Sequence, residues 1–370
     1  MRVLVTGGAG FVGGHLVDRF HKEGFKVRVL DNLDPKVHPS GEPPQFPHGV
    51  EFIRGDVTDR EALHYALRDV DVVSHQAAYQ DYMPDFSRFL AVNAVGTALL
   101  YELMVADRMK IRKVIVASSQ AVYGEGQYVC QEHGPFLPIP RSARQLQRKE
   151  WDVSCAQCGK RATPALLAEQ HNNPYNQYAV SKLAQEKTAL GLGWIHGIPT
   201  VALRYSITQG PRQSLSNHYS GVCRIFVSRA FIGDPLVIYE DGLQTRDFVH
   251  IEDVVNANML VLENDAANAQ AFNVGSGRPT SVIDYAKLVR EKVGNQVEFL
   301  TPGEYRIGDN RHSVSSISKL QSLGWSPKRN LSQILDDFLD WVQRNGGVPE
   351  NLQDAYLNMK QAGVVLSAGN

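Results

Sequence analysis

Cysteine is scarce in this sequence, which has four cysteines among 370 residues. So low a number excludes a disulfide scaffold, because such scaffolds are short and dense in cysteine. An excess of one charge is missing too: 38 Lys and Arg stand against 39 Asp and Glu, and no basic run occurs. There is therefore no electrostatic case for nucleic acid or an anionic membrane surface as the main partner.

Long apolar segments are also missing from the sequence pattern. Met1 leads directly into RVLVT, without the basic region and apolar core of a signal peptide. No stretch is apolar over the length that a bilayer requires, so we expect a cytoplasmic protein with no membrane partner. The composition, 43% hydrophobic and 21% charged, is that of one large or two modest globular domains.

Short β-branched runs alternate with helical patterns through the first half of the chain. Runs such as KVRVLDN, DVVSHQAA, KVIVASS and TVALRY are separated by segments such as HLVDRFHKEG. This alternation predicts an α/β fold, with a doubly wound parallel sheet covered by helices on both faces. We assign residues 1–204 to that domain, 205–345 to a smaller α+β substrate domain, and 346–370 to a C-terminal tail without evident chemistry. Residues 125–174, rich in Pro, Gln, Cys and Arg and without a clean period, are interpreted as an insertion.

The first strand runs into a glycine-rich turn at Gly7, Gly10 and Gly13, spaced as Gly-x-x-Gly-x-x-Gly before a helix. Glycines at these places let the backbone turn tightly and approach a pyrophosphate at the positive end of the helix. The second strand ends in Asp31, whose carboxylate can accept hydrogen bonds from a ribose diol and would repel a 2′-phosphate. The pattern predicts a Rossmann-type site that binds NAD in preference to NADP.

Residues at other strand ends are predicted to line the same cofactor. An alternative for one of them, Asp56, is a simple helix N-cap, which its position suits equally well. The set comprises Phe11 and Val12 of the glycine turn, then Asn32, Asp56, Val57, Ala77 and Ala78, and Asn93, which is added because its stretch AVNAVGT resembles that of a known family.

Tyr178 and Lys182 form the candidate catalytic pair, because a spacing of four places them on one face of a helix. Tyr is a poor base at neutral pH unless its pKa falls, and a nearby ammonium together with a positive nicotinamide ring would lower it. Ser119, at the end of a buried strand, can hydrogen-bond the same substrate hydroxyl. These three residues predict proton and hydride transfer at a substrate carbon bearing a hydroxyl group.

With these motifs the chain resembles the extended short-chain dehydrogenase/reductase enzymes of the nucleotide-sugar epimerase and dehydratase family. Matching stretches are AVNAVGT, QTRDFVHIEDVV, FNVGSG and RIGDNRHSVSSISK. The resemblance implies a nucleotide-diphosphate sugar as substrate, a homodimer, and Arg212, Arg246 and Arg306 as diphosphate ligands, a role that suits the paired donors of arginine. One departure is RYSITQGP, from Arg204 to Pro211, where the family has Arg-Tyr-x-Asn-Val-Tyr-Gly-Pro. Because of this departure, the resemblance does not assign the residues that face the sugar.

The residues after Ser119 discriminate between reactions of this family. Sugar 4,6-dehydratases carry Thr-Asp-Glu before Val-Tyr-Gly, because elimination needs an acid and a base. This chain has Gln120 and Ala121 instead, and neither transfers a proton. Related decarboxylases usually keep a Glu where Ala121 stands. The remaining reaction is an isomerisation in which Tyr178 takes the C4 hydroxyl proton, a 4-keto sugar turns over, and hydride returns to its other face.

The identity of the inverted sugar depends on weaker features. The cysteine-bearing insertion and the stretch LDNLDPKVH resemble those of bacterial dTDP-L-rhamnose 4-epimerases, which implies formation of dTDP-6-deoxy-L-talose. Epimerisation of UDP-sugars such as UDP-glucose or UDP-glucuronate, or of GDP-sugars, stays open, because no motif identifies the base. A 4-keto-sugar reductase that uses NADPH is a further alternative, against which Asp31 argues. An NAD-sensing scaffold without catalysis is the alternative outside enzymes.

Two short motifs in the insertion predict a metal site. Cys130 and His133, then Cys155 and Cys158, are each separated by two residues and followed by glycine. Two such pairs some twenty residues apart are typical of a zinc ribbon, and four protein ligands would make the zinc structural. The alternative is that they are unrelated surface residues of a tolerated loop. Cys223, far away in sequence, is predicted to be a buried apolar residue.

Overall fold

The computed structural model describes residues 1–215, 221–348 and 359–369. The strands are β1 (Arg2–Thr6), β2 (Lys26–Asp31), β3 (Glu51–Arg54), β4 (Val72–His75), β5 (Lys113–Ser119), β6 (Tyr128–Cys130), β7 (Gly134–Phe136), β8 (Thr163–Pro164), β9 (Thr200–Tyr205), β10 (Ile207–Gln209), β11 (Leu236–Val237), β12 (Thr245–Arg246), β13 (Phe248–His250), β14 (Gln270–Val274), β15 (Thr280–Ser281), β16 (Phe299–Leu300), β17 (Glu304–Tyr305), β18 (His312–Ser313) and β19 (Leu366–Ser367). The helices are α1 (Phe11–Lys22), α2 (Arg60–Ala66), α3 (Phe86–Phe89), α4 (Gly96–Ala106), α5 (Ala143–Gln147), α6 (Gln177–His196), α7 (Gly221–Ile232), α8 (Ile251–Glu263), α9 (Val282–Val293), α10 (Ser318–Gln321) and α11 (Leu331–Arg344).

Seven parallel strands form the main sheet, in the order β14-β9-β5-β4-β1-β2-β3. Successive side chains of a strand point to opposite faces, so Val3 and Val5 join one core cluster with α1 and α8 while Leu4 joins another with α2 and α4. Both faces are therefore covered by helices, which explains the near-continuous apolar runs in the sequence. The predicted Rossmann-type doubly wound sheet is confirmed.

The chain returns to this sheet well after residue 204, where the first predicted domain ends. β14 pairs with β9 at the edge of the sheet, and α8 packs on one face of it. The range predicted for the smaller domain includes β14, because a short apolar run such as QAFNV does not show which sheet it joins. The lobe built on the main sheet and the smaller second lobe are therefore interleaved in sequence.

The second lobe has its own apolar core, formed by α7, α9 and α11 around Phe226, Tyr285 and Phe338. Short strand pairs surround it, including β10 with β13 and β11 with β16. This lobe lies over the carboxyl ends of the main strands, where open α/β sheets form their ligand crevice.

The insertion folds as a three-stranded antiparallel sheet, in the order β7-β6-β8, with α5 beside it. Its first and last segments meet at Gly124, whose φ is 56° and where an added Cβ would lie 2.1 Å from the Asn173 carbonyl oxygen. Only glycine fits this junction. The insertion packs on the second lobe, since the Leu167 amide donates to the Val314 carbonyl oxygen at 2.8 Å.

One helix corrects the expectation about apolar segments. α3 continues through a π-helical segment, Leu90–Val95, into α4, which gives a single helix from Phe86 to Ala106. By length and composition alone this helix could cross a membrane, although 44% of its most apolar 18-residue stretch is buried in the fold. The sequence pattern concealed it because Ser87, Arg88 and Asn93 interrupt the run at its start.

Candidate active site

A cleft of about 920 Å³ lies between the carboxyl ends of the main strands and the second lobe. It brings together nearly all the residues that the sequence singled out for the cofactor, the reaction and the diphosphate. The predicted residues that line it are Gly7, Gly10, Phe11, Val12, Gly13, Asp31, Asn32, Asp56, Val57, Ala77, Ala78, Ser119, Tyr178, Lys182, Arg212, Arg246 and Arg306.

The glycine turn at the floor of the cleft is tightly packed. Gly7 has a φ of 68°, and a Cβ there would lie 2.7 Å from the Ala77 amide nitrogen. A Cβ at Gly13 would lie 2.1 Å from the Gly7 carbonyl oxygen. Gly10 is the N-cap of α1 and offers no side-chain cap, so the first amides of the helix are available to an anion.

Asp31 lies beside this turn, as the NAD prediction requires. Its carboxylate accepts hydrogen bonds from the Ala9 amide at 3.0 Å and the Leu33 amide at 2.9 Å. Both bonds fix the orientation of the carboxylate at the mouth of the adenosine half of the cleft.

Asp56 lines the cleft, and its alternative role as an N-cap is wrong. Asp59 caps α2 instead, accepting from the Glu61 and Ala62 amides at 2.9 and 3.2 Å. Burial alone would raise the pKa of Asp56, but hydrogen bonds from Thr58 and Asn32 lower it overall. The Asn32 amide donates to Asp56 at 2.7 Å, so two predicted cofactor residues hold each other in place.

Asn93 is placed differently from the prediction. It is fully buried in the π-helical segment and does not line the cleft. Its amide group bonds the Tyr79 amide at 2.7 Å, the Tyr79 carbonyl oxygen at 3.0 Å and the Ser181 hydroxyl at 2.9 Å. Asn93 therefore connects the loop after β4, at Tyr79, to Ser181 of α6.

Ser119, Tyr178 and Lys182 meet at the centre of the cleft. Ser119 ends the fully buried β5, and the other two lie on α6, whose N-cap Asn176 accepts from the Ala179 amide at 2.8 Å. The Tyr178 hydroxyl is hydrogen-bonded to Ser119. The Lys182 ammonium donates to the Ala117 carbonyl oxygen at 2.5 Å and also to the side chain of Gln185.

Burial shifts both titratable groups of this trio. It raises the pKa of Tyr178 to about 12, with the Ser119 hydrogen bond acting in the opposite direction. It lowers the pKa of Lys182 to about 7, which the charge of Glu186 only partly offsets. Tyr178 is thus a neutral phenol at neutral pH, and it becomes a base only when further positive charge is brought beside it.

Sequence reasoning missed a buried polar network behind Lys182. Gln185 donates to the Thr97 hydroxyl at 3.1 Å, and the His75 ring lies 2.9 Å from that hydroxyl and 2.8 Å from the Thr6 hydroxyl. Burial, and then the charge of Lys182, lower the pKa of His75 to about 3, so the ring is neutral. The sequence signal for this network is that the apolar run DVVSH ends in two polar residues, Ser74 and His75.

Arg246 and Arg306 converge on the second-lobe side of the cleft. Arg306 donates to one Asp309 carboxylate oxygen at 2.9 and 2.6 Å, and its guanidinium lies 4.5 Å from the centre of the Tyr82 ring. Arg246 donates to the Arg311 carbonyl oxygen at 3.2 Å. Burial lowers the pKa of Arg246, and the charge of Arg306 adds to this effect. Two neighbouring cations of this kind suit a polyanion.

Arg212 lines the cleft but lies on its other side. It forms an ion pair with Asp18 of α1, and a Cβ added at Gly14 would lie 2.3 Å from its guanidinium. The structure therefore groups Arg212 with the glycine turn and not with Arg246 and Arg306. Its position directly after the RYSITQGP motif gave no indication of this.

The departure from the family motif shapes the sugar-facing wall. Ser206, Ile207 and Thr208 line the cleft, and the Ser206 hydroxyl lies 2.9 Å from the Ser315 hydroxyl. Gln209 is fully buried and accepts from the Tyr285 hydroxyl at 3.1 Å. Ile207, Thr208 and Gln209 thus stand where the usual motif has Asn, Val and Tyr. The wall presents one aliphatic side chain and two hydroxyls, those of Ser206 and Thr208, and it lacks the phenol of the usual motif.

The two Cys/His pairs of the insertion come together in space. Cys130 Sγ lies 3.7 Å from Cys158 Sγ and 3.6 Å from His133 Nδ1, and Cys155 Sγ lies 3.6 Å from that same nitrogen. Tetrahedral zinc with bonds of about 2.3 Å to sulfur and about 2.0 Å to nitrogen separates its ligands by roughly 3.6 to 3.8 Å. All four ligand atoms lie within 4.8 Å of one another, so the donor set fits zinc.

The backbone of each pair favours thiolates. Amides of Glu132 and His133 lower the pKa of Cys130, and amides of Cys158 and Gln157 lower that of Cys155. The glycine after each pair has a positive φ, 73° at Gly134 and 70° at Gly159, as the turn toward sulfur requires. Cys223 is fully buried, as predicted, and burial raises the pKa of its thiol to about 12.

Comparison with known proteins shows which family the chain is similar to. The sequence profile of the NAD dependent epimerase/dehydratase family matches residues 3–143 and 153–275. A dTDP-L-rhamnose 4-epimerase of Burkholderia thailandensis is 32% identical over 92% of this chain and 94% of its own length. A UDP-glucose 4-epimerase of Lacticaseibacillus casei is 28% identical over 96% and 99%. The solved UDP-glucose 4-epimerase of Thermus thermophilus in complex with NAD is 29% identical, with a TM-score of 0.71, over 94% of this chain and 100% of that one.

Proposed function

The chain belongs to the NAD-dependent epimerase/dehydratase family, and we propose that it is an NAD-dependent 4-epimerase of a nucleotide-diphosphate sugar. The observation that carries this proposal is the assembly of Ser119, Tyr178 and Lys182 at the cleft, with no carboxylate at Gln120 or Ala121. A site of this kind can oxidise and reduce a sugar alcohol but cannot drive elimination.

Each residue of the trio has a defined part in the reaction. NAD, when bound, supplies hydride acceptance and return together with positive charge beside Tyr178. Ser119 holds the C4 hydroxyl of the sugar, and Tyr178 removes its proton. Lys182 stabilises the Tyr178 phenolate that accepts this proton, and the transfer leaves Tyr178 as a neutral phenol. After the 4-keto sugar has turned over, Tyr178 returns the proton to O4 on the inverted product. Oxidation and reduction balance within one cycle, so no external reductant is consumed.

Gly7, Gly10 and Gly13 fit the dinucleotide, since a Cβ at Gly7 or Gly13 would clash with neighbouring backbone and a turn without side chains lets a pyrophosphate approach closely. Asp31 would hold the adenosine ribose, which favours NAD over NADP. Arg246 and Arg306 would hold the diphosphate of the sugar nucleotide, and Arg212 would serve the cofactor half beside Asp18.

For the substrate we propose dTDP-L-rhamnose, giving dTDP-6-deoxy-L-talose, supported by the likeness to a dTDP-L-rhamnose 4-epimerase. UDP-glucose, favoured by the likeness to UDP-glucose 4-epimerases, and UDP-glucuronate are the second candidates. The test is C4 inversion of dTDP-, UDP- and GDP-sugars by purified protein without added cofactor. A 4-keto-sugar reductase would stall under these conditions, and an NAD-sensing scaffold would turn over none of them.

We further propose that Cys130, His133, Cys155 and Cys158 bind one structural zinc. The support is the fit of their separations and burial to a closed tetrahedral site. Elemental analysis of the purified protein is expected to give one equivalent of zinc per chain. Cys223→Ala serves as the control, because that thiol lies outside the cluster.

We propose in addition a homodimer formed by the helix from Phe86 to Ala106 and by α6. Four apolar side chains on these helices are 42 to 58% exposed: Phe86, Leu90, Val95 and Val180. A second copy that covered them would remove this apolar surface from water. Light scattering should give twice the chain mass, and Val95→Glu should lower it. We propose the cytoplasm as the place of action, which cell fractionation checks.

A further inference from the structure

We infer that the insertion and the C-terminal tail form one positioning unit for Arg306, centred on Arg141. The inference rests on the proposed function, because it assumes that a nucleoside diphosphate binds Arg306 and Arg246. It gives the insertion a part in substrate affinity, although the insertion supplies no residue to the reaction.

Arg141, on the insertion, is 4% exposed and contacts four separate segments. It donates to Glu125 at 2.8 Å, to the Trp151 carbonyl oxygen at 2.9 Å and to both Glu240 carboxylate oxygens at 2.9 Å. It also donates to the Asp309 carbonyl oxygen at 2.7 Å. One side chain therefore connects the insertion to the residue whose carboxylate holds the diphosphate-binding arginine.

A second buried arginine extends this connection to Arg246. The Arg311 side chain donates to Asp152 of the insertion at 3.1 Å and to Glu240 at 2.9 Å. It also makes two bonds to Asp241, at 2.7 and 2.8 Å. Its carbonyl oxygen accepts from Arg246. Burial lowers the pKa of Arg246 overall, while nearby carboxylates, Glu240 among them, act in the opposite direction.

The tail holds the other end of the same loop. β19 pairs antiparallel with β17, so Leu366 lies opposite Tyr305, the residue before Arg306. Leu366 packs with Tyr305, and with Leu146 and Trp151 of the insertion, in one small apolar cluster. The tail and the insertion thus hold the loop around Arg306 from both sides.

This arrangement fixes a side chain that binding would otherwise have to order. A free arginine loses considerable rotamer entropy when a ligand immobilises it. Arg306 is held in advance by Asp309, and Asp309 is held by Arg141. Pre-organisation of this kind raises affinity mainly by lowering the ordering cost of binding. The expected signature is therefore weaker diphosphate binding with little change in the chemical step.

The test measures binding of dTDP and of UDP to the NAD-loaded protein by titration calorimetry. Arg141→Met is expected to weaken both roughly tenfold, with NAD content unchanged. In turnover assays the KM of the nucleotide sugar should rise while kcat changes little. Arg148→Met is the matched control, because Arg148 lies in the same insertion and its side chain pairs, among the described residues, with the exposed Glu150. This variant should bind as the wild type does.

Further variants separate positioning from general destabilisation. Leu366→Ser leaves the buried ion pairs intact and should weaken dTDP binding in the same direction. Adding Arg141→Met to Arg306→Met should weaken dTDP binding no further, because Arg141 acts through Arg306. Arg141→Lys, which keeps the charge but not the fork of donors, should restore part of the affinity.

The possible outcomes distinguish failure of this inference from failure of the proposed function. Wild-type dTDP affinity in Arg141→Met and Leu366→Ser, with weak binding by Arg306→Met, overturns this inference and leaves the proposed function standing. Equal loss of NAD and dTDP by both Arg141→Met and Leu366→Ser also overturns it. Wild-type binding by Arg306→Met would show that the proposed diphosphate site is wrong, and the inference would fall with it.

Discussion

The two halves of the cleft are built in different ways. The NAD half is local: one turn, from Gly7 to Gly13, and one strand end, at Asp31, contribute its main groups within the first 31 residues. The half that we propose for the diphosphate is assembled from distant segments, since Arg246 and Arg306 are connected to Arg141, to Arg311 and to the tail. A local site leaves a motif in the sequence. An assembled site leaves isolated arginines whose roles only the fold shows.

The halves also differ in the groups that supply positive charge. The glycine turn presents backbone amides, which carry fixed partial charges and need no counter-ion. The arginines of the second lobe need carboxylates to hold them, and burial makes such networks costly to break at one member. Variants in the NAD half should therefore change one function at a time. Variants in the other half should affect stability and substrate affinity together.

The largest expected effect lies where the two halves meet, at Tyr178. Tyr178→Phe keeps the ring but removes the group that moves the proton, so kcat should fall by roughly 10² to 10⁴-fold. NAD content and the melting temperature should stay close to wild type. The measurement is C4 inversion at saturating sugar nucleotide, and near-normal turnover would exclude Tyr178 as the base.

The next effect tests the assembled half through its proposed metal. Cys155→Ala should release the zinc and lower the free energy of unfolding by several kcal/mol, because the insertion has only small apolar clusters of its own. The KM of the sugar nucleotide should rise more than the Kd of NAD, since the insertion packs on the second lobe. Unchanged stability and sugar affinity in this variant would contradict both claims.

The local half has a smaller and more specific prediction. Asp31→Ala should weaken NAD binding about tenfold, equivalent to about 1.4 kcal/mol, through loss of the ribose contact. It should also reduce the preference for NAD over NADP, because the repulsion of a 2′-phosphate is gone. Competitive titration of both cofactors measures this. Identification of NADP as the nucleotide that purifies with the wild-type protein would contradict it.

The sequence predicts the local features well and the assembled ones poorly. Strand–helix alternation and the glycine spacing predict the main sheet and the cofactor turn, because both are periodic over a few residues. The two Cys/His pairs could be assigned to one site because both have the same spacing, two ligands separated by two residues and followed by glycine. Asn93 could not be placed, since a motif does not show which way a helical side chain points.

Longer-range relations have no local signal at all. Resemblance groups Arg212 with Arg246, yet Arg212 pairs with Asp18 across 194 positions of sequence. The five-residue apolar run of β14 fits either sheet, so its pairing with β9 could not be predicted. The role of Arg141 depends on contacts between segments that are more than 150 residues apart, which no spacing argument reaches.

The last expected effect is on stability and concerns Lys182, whose pKa burial lowers to about 7 from an ordinary value of 10.5. Between these two pH values the unfolded chain binds a proton that the folded chain does not, so stability rises with pH across this window. The contribution is about 1.4 kcal/mol per pH unit at most. Below pH 7 both states are protonated and the contribution stays at its minimum.

Gln185→Glu should flatten this dependence. Gln185 accepts a hydrogen bond from Lys182, so a carboxylate there would pair with the ammonium and raise its pKa toward that of the unfolded chain. Denaturant unfolding of the NAD-free protein between about pH 7 and about pH 9.5 should then give a slope lower by roughly 1 kcal/mol per pH unit than wild type. Gln185→Ala removes the hydrogen bond without adding charge and should keep the wild-type slope. Equal slopes in the wild type and Gln185→Glu would mean that Lys182 is not the group titrating in this window.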